Sequence, residues 1–228
     1  MNELALFAGA GGGILGGLLL GWRTVCAVEI DSYCRRVLFA RQRDSILPRF
    51  PIWDDVRTFD GKPWRGYIDV ISGGFPCQAF SSAARGRNNA VDLWPEMLRV
   101  CSEVSPPWVF AENVAEKAIA KAAEDLSGIG YKVRYQRFTA TPLACPHPRP
   151  RWFVVAYSDG FLQRRCSFND EVASVQNAGP VDWWKDDAET SRVSDGLANR
   201  MDRFQAIGNG QIPAMVRVAW TELRGHFA

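Results

Sequence analysis

One cysteine of the chain stands in a setting suited to nucleophilic chemistry. Cys77 follows Pro76, shortly after the apolar run of residues 68–71. That run predicts a buried strand, because it is short, β-branched and apolar, and Gly73 and Gly74 are expected to end it. A thiol just past the carboxyl end of a strand lies where open α/β sheets bind ligands, and its thiolate is a strong nucleophile. A small buried structural cysteine is the competing interpretation.

A carboxyl group ends another predicted strand, residues 108–112. In the triplet Glu112-Asn113-Val114, burial beside a reactive thiol would raise the pKa of Glu112, so that it could act as an acid or a hydrogen-bond donor. A helix N-cap built on Asn113 is the alternative.

Two arginines, Arg149 and Arg151, enter a further predicted strand two residues apart. Alternation along a strand predicts that their side chains point the same way, and such a pair suits phosphate and carbonyl oxygens. The segment of residues 208–213, Gly-Asn-Gly-Gln-Ile-Pro, joins two predicted helices and by itself indicates only a turn.

A glycine-rich segment, residues 7–13, follows the first predicted strand. Glycines there let the backbone approach a ligand closely where a helix begins. Gly11, Gly13 and Gly16 satisfy the spacing GxGxxG, so a nicotinamide cofactor is an open alternative. No Lys-Ser/Thr pair follows, which argues against a P-loop.

Two acids complete a predicted nucleoside site. Glu29, at the end of the second strand, is expected to bind ribose hydroxyls with either type of cofactor. Asp55, two strands along, could accept a hydrogen bond from an adenine amine. Taken singly, each acid is equally typical of a surface or capping residue.

Strand and helix signals alternate up to about residue 156, which predicts an α/β fold with a doubly wound, mostly parallel sheet. A polar, loop-rich segment, residues 157–192, follows. Predicted strands cover residues 4–8, 24–29, 68–71, 108–112, 131–138 and 151–156; predicted helices cover residues 14–20, 32–43, 95–104, 115–127, 197–206 and 213–223.

Composition narrows the class of protein. The chain has 228 residues, with 27 Lys and Arg against 25 Asp and Glu, so its net charge says little about a polyanionic partner. Its six cysteines form no CxxC pair and only two histidines are present, which argues against common zinc sites and histidine-centred catalysis. Without a basic leader or a long apolar run, the chain is expected to be soluble and cytoplasmic.

In their order along nearly the whole chain, these motifs resemble those of the DNA (cytosine-5) methyltransferases. The match rests on residues 7–12, Glu29, Asp55, Pro76-Cys77-Gln78, Glu112-Asn113-Val114, Arg149 with Arg151, and residues 208–213. The resemblance implies the fold of S-adenosylmethionine-dependent methyltransferases and a compact member like the small enzymes of phage and prophage. Ala5 and His147 depart from the family pattern.

The resemblance also implies roles for individual residues. Catalytic roles fall to Cys77, Glu112, Arg149 and Arg151. S-adenosylmethionine would be bound by Phe7, Ala8, Gly9, Gly11, Gly12, Glu29, Ile30, Asp55, Val56, Pro76 and Asn209. DNA would be bound by Gln78, Ser81, Arg85, Arg87, Arg164 and Arg165.

The reaction implied is attack of Cys77 on C6 of a cytosine flipped out of double-stranded DNA, followed by methylation at C5. Residues 1–156 would form the catalytic domain, residues 157–192 a target-recognition segment, and residues 193–228 helices that return to the catalytic domain. The protein is expected to act as a monomer, without a metal or a membrane, in a bacterial or phage-infected cell.

Two other functions stay open at this point. A nicotinamide-dependent oxidoreductase would use the glycines and Glu29 equally well, but it gives no role to Cys77, Glu112 and the arginine pair together. A catalytically silent DNA-binding relative is disfavoured by the presence of both Cys77 and Glu112.

Overall fold

The computed structural model describes residues 1–76, 92–143, 148–158 and 210–227. These residues form one sheet of seven strands in the order β3-β2-β1-β4-β5-β7-β6. Neighbours from β3 to β5 are parallel, and β7 runs antiparallel to both β5 and β6. The strands are β1 (Asn2–Leu6), β2 (Arg23–Val28), β3 (Ile52–Trp53), β4 (Val70–Gly74), β5 (Trp108–Asn113), β6 (Lys132–Phe138) and β7 (Arg151–Tyr157).

Five α-helices lie in the described part of the chain, and the predicted mostly parallel α/β sheet is confirmed. They are α1 (Gly12–Leu19), α2 (Ser32–Arg43), α3 (Trp94–Val104), α4 (Glu116–Gly128) and α5 (Pro213–Gly225), with short 3-10 helices at Val56–Thr58, Lys62–Trp64 and Thr141–Leu143. The predicted helix of residues 197–206 lies outside the described residues. No helix within the described ranges is long and apolar enough to cross a membrane.

Both faces of the sheet are buried, because successive side chains of a strand point to opposite faces. In β1, Leu4 and Leu6 pack into a cluster with α3 and α4, whereas Ala5 packs against α1 and α2. Likewise Phe110 of β5 packs with α5, between neighbours that face α3 and α4. Two helix layers therefore cover the sheet, one on each face.

The structure corrects the predicted bounds of two strands. β1 spans Asn2–Leu6 and not residues 4–8. β4 runs from Val70 to Gly74, so Gly73 and Gly74 lie inside the strand that they were expected to end. The physical reason is close packing: a Cβ on Gly73 would stand 2.6 Å from the carbonyl oxygen of Leu6.

Candidate active site

The carboxyl ends of β1, β4 and β5 meet at one edge of the sheet. Leu6 of β1 pairs with Gly73 of β4, and Gly74 pairs with Glu112 of β5. The chain after β1 is the glycine-rich loop, and the chain after β4 leads to Cys77. Ligands of open α/β sheets bind at such an edge, so the strand register brings the predicted cofactor loop beside the predicted catalytic glutamate.

Several predicted site residues lie outside the part of the chain that the structure describes. The description after β4 reaches Pro76, and Cys77, Gln78, Ser81, Arg85 and Arg87 lie outside the described residues. The same holds for Arg164, Arg165, His147 and Asn209.

The glycine-rich loop turns sharply between β1 and α1. Phe7, Gly9 and Gly11 have φ values of 52°, 53° and 94°, in the left-handed region that L side chains rarely adopt. The Gly11 N–H donates to the Ala8 carbonyl at 3.0 Å, and the Ala8 N–H donates to Val28 at 3.1 Å. The turn directs the amino terminus of α1 toward the ligand edge of the sheet.

Glu29 fastens this loop. Its Oε2 accepts a hydrogen bond from the Gly9 N–H at 2.6 Å, and its Oε1 accepts one from the Asp31 N–H at 2.7 Å. Burial raises the pKa of Glu29, and the two backbone donors oppose the rise. Each carboxylate oxygen keeps a further lone pair, so acceptors for ribose hydroxyls remain. Ile30, next in the chain, is exposed.

Asp55 and Val56 follow β3 on the same edge. The Arg57 side chain pairs with Asp55, its Nη2 lying 2.6 Å from Oδ2, and this hydrogen bond lowers the pKa of Asp55. An ionised Asp55 can accept a hydrogen bond from an amine. The Val56 side chain is buried, and its carbonyl accepts a hydrogen bond from Arg99 at 2.7 Å. Trp53 is exposed beside them.

Glu112 is the buried acid of the site, with 6% of its surface exposed. Burial raises its pKa, as the sequence predicts, while Arg151, a hydrogen bond from the Gln211 side chain and Arg149 lower it. Its Oε1 lies 2.9 Å from Nε of Arg151. Although this distance makes an ion pair, Oε1 accepts no well-directed hydrogen bond from the described residues. Among the described residues, no hydrogen bond uses the lone pairs of this buried carboxyl oxygen.

The two arginines do not share a strand, so the prediction based on strand alternation is wrong. Arg151 is the first residue of β7, and the antiparallel pairing of β7 with β5 brings it to Glu112. Arg149 precedes the strand with φ of 34° and donates from Nη2 to the Gly210 carbonyl at 2.5 Å. The positive charges of both arginines still act on Glu112.

Asn113 does not cap a helix, so that alternative is also wrong: Ala115 occupies the N-cap position of α4. The Asn113 amide donates from Nδ2 to the Phe75 carbonyl at 2.9 Å, and its Oδ1 accepts from the Ala115 N–H at 3.0 Å. Asn113 thus fixes the backbone two residues before Cys77. The Glu-Asn-Val triplet was the available signal for this role.

Gln211 is a second residue that sequence reasoning missed. A Cβ on Gly12 would overlap the Gln211 carbonyl, and one on Gly13 would overlap its Oε1. Nε2 of Gln211 would stand 3.3 Å from a Cβ on Gly74. The hydrogen bond to Glu112 could not have been predicted from a segment that by itself indicated only a turn.

The GxGxxG spacing has a packing explanation in this fold. Of its three glycines, only Gly11 takes a left-handed φ, while Gly13 and Gly16 lie within α1. A Cβ on Gly16 would overlap the Val216 side chain of α5. Gly13 and Gly16 therefore allow the start of α5 to approach α1 closely.

A pocket at the ligand edge joins the glycine loop to the end of β4. It is lined by Ala5, Leu6, Phe7, Ala8, Gly9, Gly13, Ile14, Ser72, Gly73, Gly74, Gly210 and Gln211. A wider, open groove between the second 3-10 helix and α3 is lined by Lys62, Arg65, Arg99, Ser102 and Glu103. Since Arg99 pairs there with Glu103 and Arg65 donates to carbonyls of α3, the pocket at the strand ends is the better candidate site.

The mostly parallel sheet, the glycine turn and the acids at the strand ends define a Rossmann-like domain of the type found in S-adenosylmethionine-dependent methyltransferases. The family model described as C-5 cytosine-specific DNA methylase matches residues 1–212. The chain therefore belongs to the C-5 cytosine-specific DNA methylase family.

Individual relatives agree with this assignment. The chain is similar to the Type II methyltransferase M.Eco47II of Escherichia coli, with 33% identity over 194 residues that make up 77% of this chain and 45% of the relative. It is also similar to the Type II methyltransferase M.CviJI of Paramecium bursaria Chlorella virus IL3A, with 26% identity covering 97% of this chain and 59% of the relative. The chain thus spans about half the length of these curated relatives.

A solved structure supports the fold. The crystal structure of S. pombe Dnmt2 methyltransferase is similar over 69% of this chain and 49% of that chain, with a TM-score of 0.55 and 20% identity. At this identity the likeness concerns the fold alone.

Proposed function

We propose that the chain transfers a methyl group from S-adenosylmethionine to C5 of a flipped-out cytosine in double-stranded DNA, through a covalent bond between Cys77 and C6. The observation that carries the proposal is Glu112, a buried carboxyl group with a raised pKa beside Arg151 and the strand that leads to Cys77. Membership of the C-5 cytosine-specific DNA methylase family also supports the proposal.

The described residues suit the cofactor. The tight glycine turn lines the pocket at the strand ends, Glu29 keeps lone pairs that could accept from ribose hydroxyls, and the ionised Asp55 can accept from an adenine amine. The exposed Ile30 offers an apolar surface next to Glu29. When bound, S-adenosylmethionine supplies an electrophilic methyl group, which requires a carbon nucleophile.

Cytosine C5 becomes such a nucleophile only after activation. The Cys77 thiolate adds to C6, a C–S bond forms, and the electrons of the C5–C6 double bond move into the ring. Glu112, whose protonated form burial favours by raising its pKa, holds or donates a proton at N3 and so neutralises the developing charge. Arg151 contacts O2 of the base, and Arg149 holds a backbone phosphate.

Release reverses the addition. C5 would take the methyl group as the bond between the methyl carbon and the cofactor sulfur breaks, which leaves S-adenosylhomocysteine. The C5 proton then leaves to a base, N3 returns its proton to Glu112, the C5–C6 double bond re-forms and the C–S bond to Cys77 breaks to regenerate the thiolate. Because the target atoms are inaccessible in a stacked duplex, the cytosine must leave the helix, at a cost of a few kcal/mol. Arg85 and Arg87, which lie outside the described residues, are proposed to contact the DNA.

We also propose a division of labour along the chain. Residues 1–156 bind the cofactor and carry out the chemistry, residues 157–192 recognise the DNA sequence, and residues 193–228 return to the catalytic domain. The packing of α5 on α1 supports the last part.

A mechanism-based trap tests the function. Duplex DNA substituted with 5-fluorocytosine should form a denaturation-resistant adduct with the protein in the presence of S-adenosylmethionine, because fluorine cannot leave as a proton does. The Cys77→Ala variant should form none, and an adduct with this variant would show that another residue is the nucleophile. Calorimetry that compares the binding of S-adenosylmethionine with that of NAD tests the nicotinamide-dependent alternative, which requires NAD to bind. Bisulfite sequencing of DNA from cells that express the chain distinguishes an active methyltransferase from a catalytically silent relative. It also reveals the methylated sequence.

A further inference from the structure

We propose that Gln211, which lies against Gly12 and Gly13, is a positioning residue for Glu112 and holds its carboxyl group in place by a side-chain hydrogen bond. This inference rests on the proposed function for its catalytic consequence, because it deepens the role of the same site. The hydrogen bond itself can be tested without any assumption about the reaction.

The contacts of Gln211 span the two halves of the site. Its amide donates a hydrogen bond to Glu112. Beside Gly74, Oε2 of Glu112 lies 2.8 Å and Nε2 of Gln211 lies 3.3 Å from where a Cβ would stand. The opposite side of the same amide, Oε1, lies against Gly13 of α1. One side chain therefore reaches from the start of α1 to the end of β5.

Three glycines make this placement possible. Any side chain on Gly12 or Gly13 would overlap Gln211, and a Cβ on Gly74 would come within 2.8 Å of the Glu112 carboxyl group. Glycines from two segments more than 60 residues apart thus leave open the space that one glutamine and one glutamate fill. The backbone beside Gln211 is also fixed, since Arg149 donates to the Gly210 carbonyl.

The hydrogen bond complements the ion pair of Glu112. Arg151 lies beside Oε1 but does not direct a well-aligned N–H at it, so charge alone leaves the carboxyl group free to rotate. A directional donor restricts that rotation, and catalytic groups need a fixed orientation toward the substrate. Gln211 supplies the direction and leaves Oε1 available to the base.

A titration tests the proposal independently of activity. The Gln211→Met variant keeps the size of the side chain and removes the donor, so the pKa of Glu112 should rise further above its ordinary value. The probe is the carboxyl carbon of 13C-labelled glutamate followed by NMR, with the Glu112 signal assigned from its loss in Glu112→Gln. An unchanged titration in Gln211→Met overturns the proposal, whether or not the protein methylates DNA.

Kinetics test the catalytic consequence. In Gln211→Met, kcat for methyl transfer should fall by up to about 10-fold, as expected for the loss of one hydrogen bond to a neutral carboxyl group, with little change in cofactor affinity. The loss of activity at high pH should move to higher pH. In the double variant with Glu112→Gln, the Gln211 substitution should have almost no additional effect. A large loss of cofactor affinity with unchanged kcat would instead show that Gln211 only supports the glycine-rich loop and does not position Glu112.

The chain offers a matched control. Gln136 also donates from Nε2 to a glutamate, Glu222, at 2.9 Å, but on the exposed surface between β6 and α5. Gln136→Met should leave the Glu112 titration and kcat unchanged. If Gln211→Met fails to fold, Gln211→Asn, which shortens the amide by one methylene, should shift the titration in the same direction.

Discussion

Asn113 and Phe75 are joined by a buried hydrogen bond from the Asn113 amide to the Phe75 carbonyl, 2.9 Å long, across the ends of β5 and β4. The residue that follows the proposed catalytic acid therefore fixes the backbone that leads to the proposed nucleophile. Because β4 ends at Gly74, this hydrogen bond links the end of β5 to the backbone that leads to Cys77.

Removing this link should impair catalysis as well as folding. We expect Asn113→Ala to lower the free energy of unfolding by about 1–3 kcal/mol, since it leaves the buried Phe75 carbonyl without a donor. Formation of the 5-fluorocytosine adduct should also slow, because the backbone that leads to Cys77 is no longer held by Asn113. The control is Asn2→Ala, which removes a similar bond, from Nδ2 to the Tyr67 carbonyl at 2.9 Å, at an exposed position. Adduct formation at the wild-type rate in Asn113→Ala would contradict this role.

Replacing the proposed acid should affect the chemical step. We expect Glu112→Gln to lower methyl transfer by roughly 100-fold or more, because the amide cannot donate a proton as the carboxylic acid does. In the wild-type protein, Glu112 stays protonated at pH values below its raised pKa and loses the proton as the pH rises through that pKa. Methyl transfer should therefore slow at pH values above the pKa of Glu112. Glu116→Gln, exposed in the first turn of α4, is the control. A parallel loss of S-adenosylmethionine affinity would place Glu112 in the cofactor pocket.

A second buried acid, Glu3, should make stability depend on pH. Glu3 is fully buried in β1, accepts hydrogen bonds from Ser72 and Thr24 at 2.6 Å, and burial raises its pKa to about 7. Because the folded state favours the neutral acid, its contribution is complete below pH 4.5 and is lost as the pH rises through 7.

The variant Glu3→Gln isolates this contribution. It removes the ionisation, so the free energy of unfolding of the wild type relative to the variant should fall by about 3 kcal/mol between pH 4 and 8. Urea titrations of both proteins at several pH values measure the difference. Parallel pH profiles of the two proteins would show that Glu3 stays ionised in the folded state.

The packing role of Gly16 predicts a compensating pair of substitutions. We expect Gly16→Ala to destabilise the fold by about 1–3 kcal/mol, because the new methyl group would overlap Val216 of α5. The same substitution should cost less in a Val216→Gly background, which lacks both the Cγ1 and the Cβ that the added methyl group would overlap. Gly128→Ala in α4, where nothing lies within 4 Å of the added Cβ, is the control and should not destabilise the fold. Additive losses in the double variant, measured by thermal unfolding, would refute the packing role.

Sequence recognition is expected to reside in residues 157–192, which lie largely outside the described residues. Arg164, Arg165, Gln163, Asn169 and Gln176 are its candidates for contacting base edges. With about 1–3 kcal/mol of discrimination from each good bidentate contact, such a segment could read on the order of two to four base pairs. Grafting the corresponding segment of a relative should change the methylated sequence and leave cofactor affinity constant. Methylation mapped to a site of about six bases or more would contradict the size estimate.

The sequence by itself determined the class of fold and the edge where the site lies. Buried strands alternate with helices, and β1 shows why the pattern is readable: Leu4, Ala5 and Leu6 are all apolar because helices cover both faces of the sheet. Local chemistry also placed the glycine turn after β1 and Glu112 at the end of β5. These features depend on neighbours in the chain, whose preferences a sequence records directly.

Only the tertiary structure decided which distant residues act on Glu112. β7 inserts beside β5 in antiparallel orientation and brings Arg151 to the carboxyl group, while Arg149 turns toward Gly210. The start of α5 brings Gln211 against Gly13 and Glu112. Such contacts arise from the packing of segments far apart in the chain, where spacing and periodicity carry no information about distance. The sequence therefore located the acid, but the packing of β7 and α5 determined its partners, which oppose the rise in pKa that burial causes.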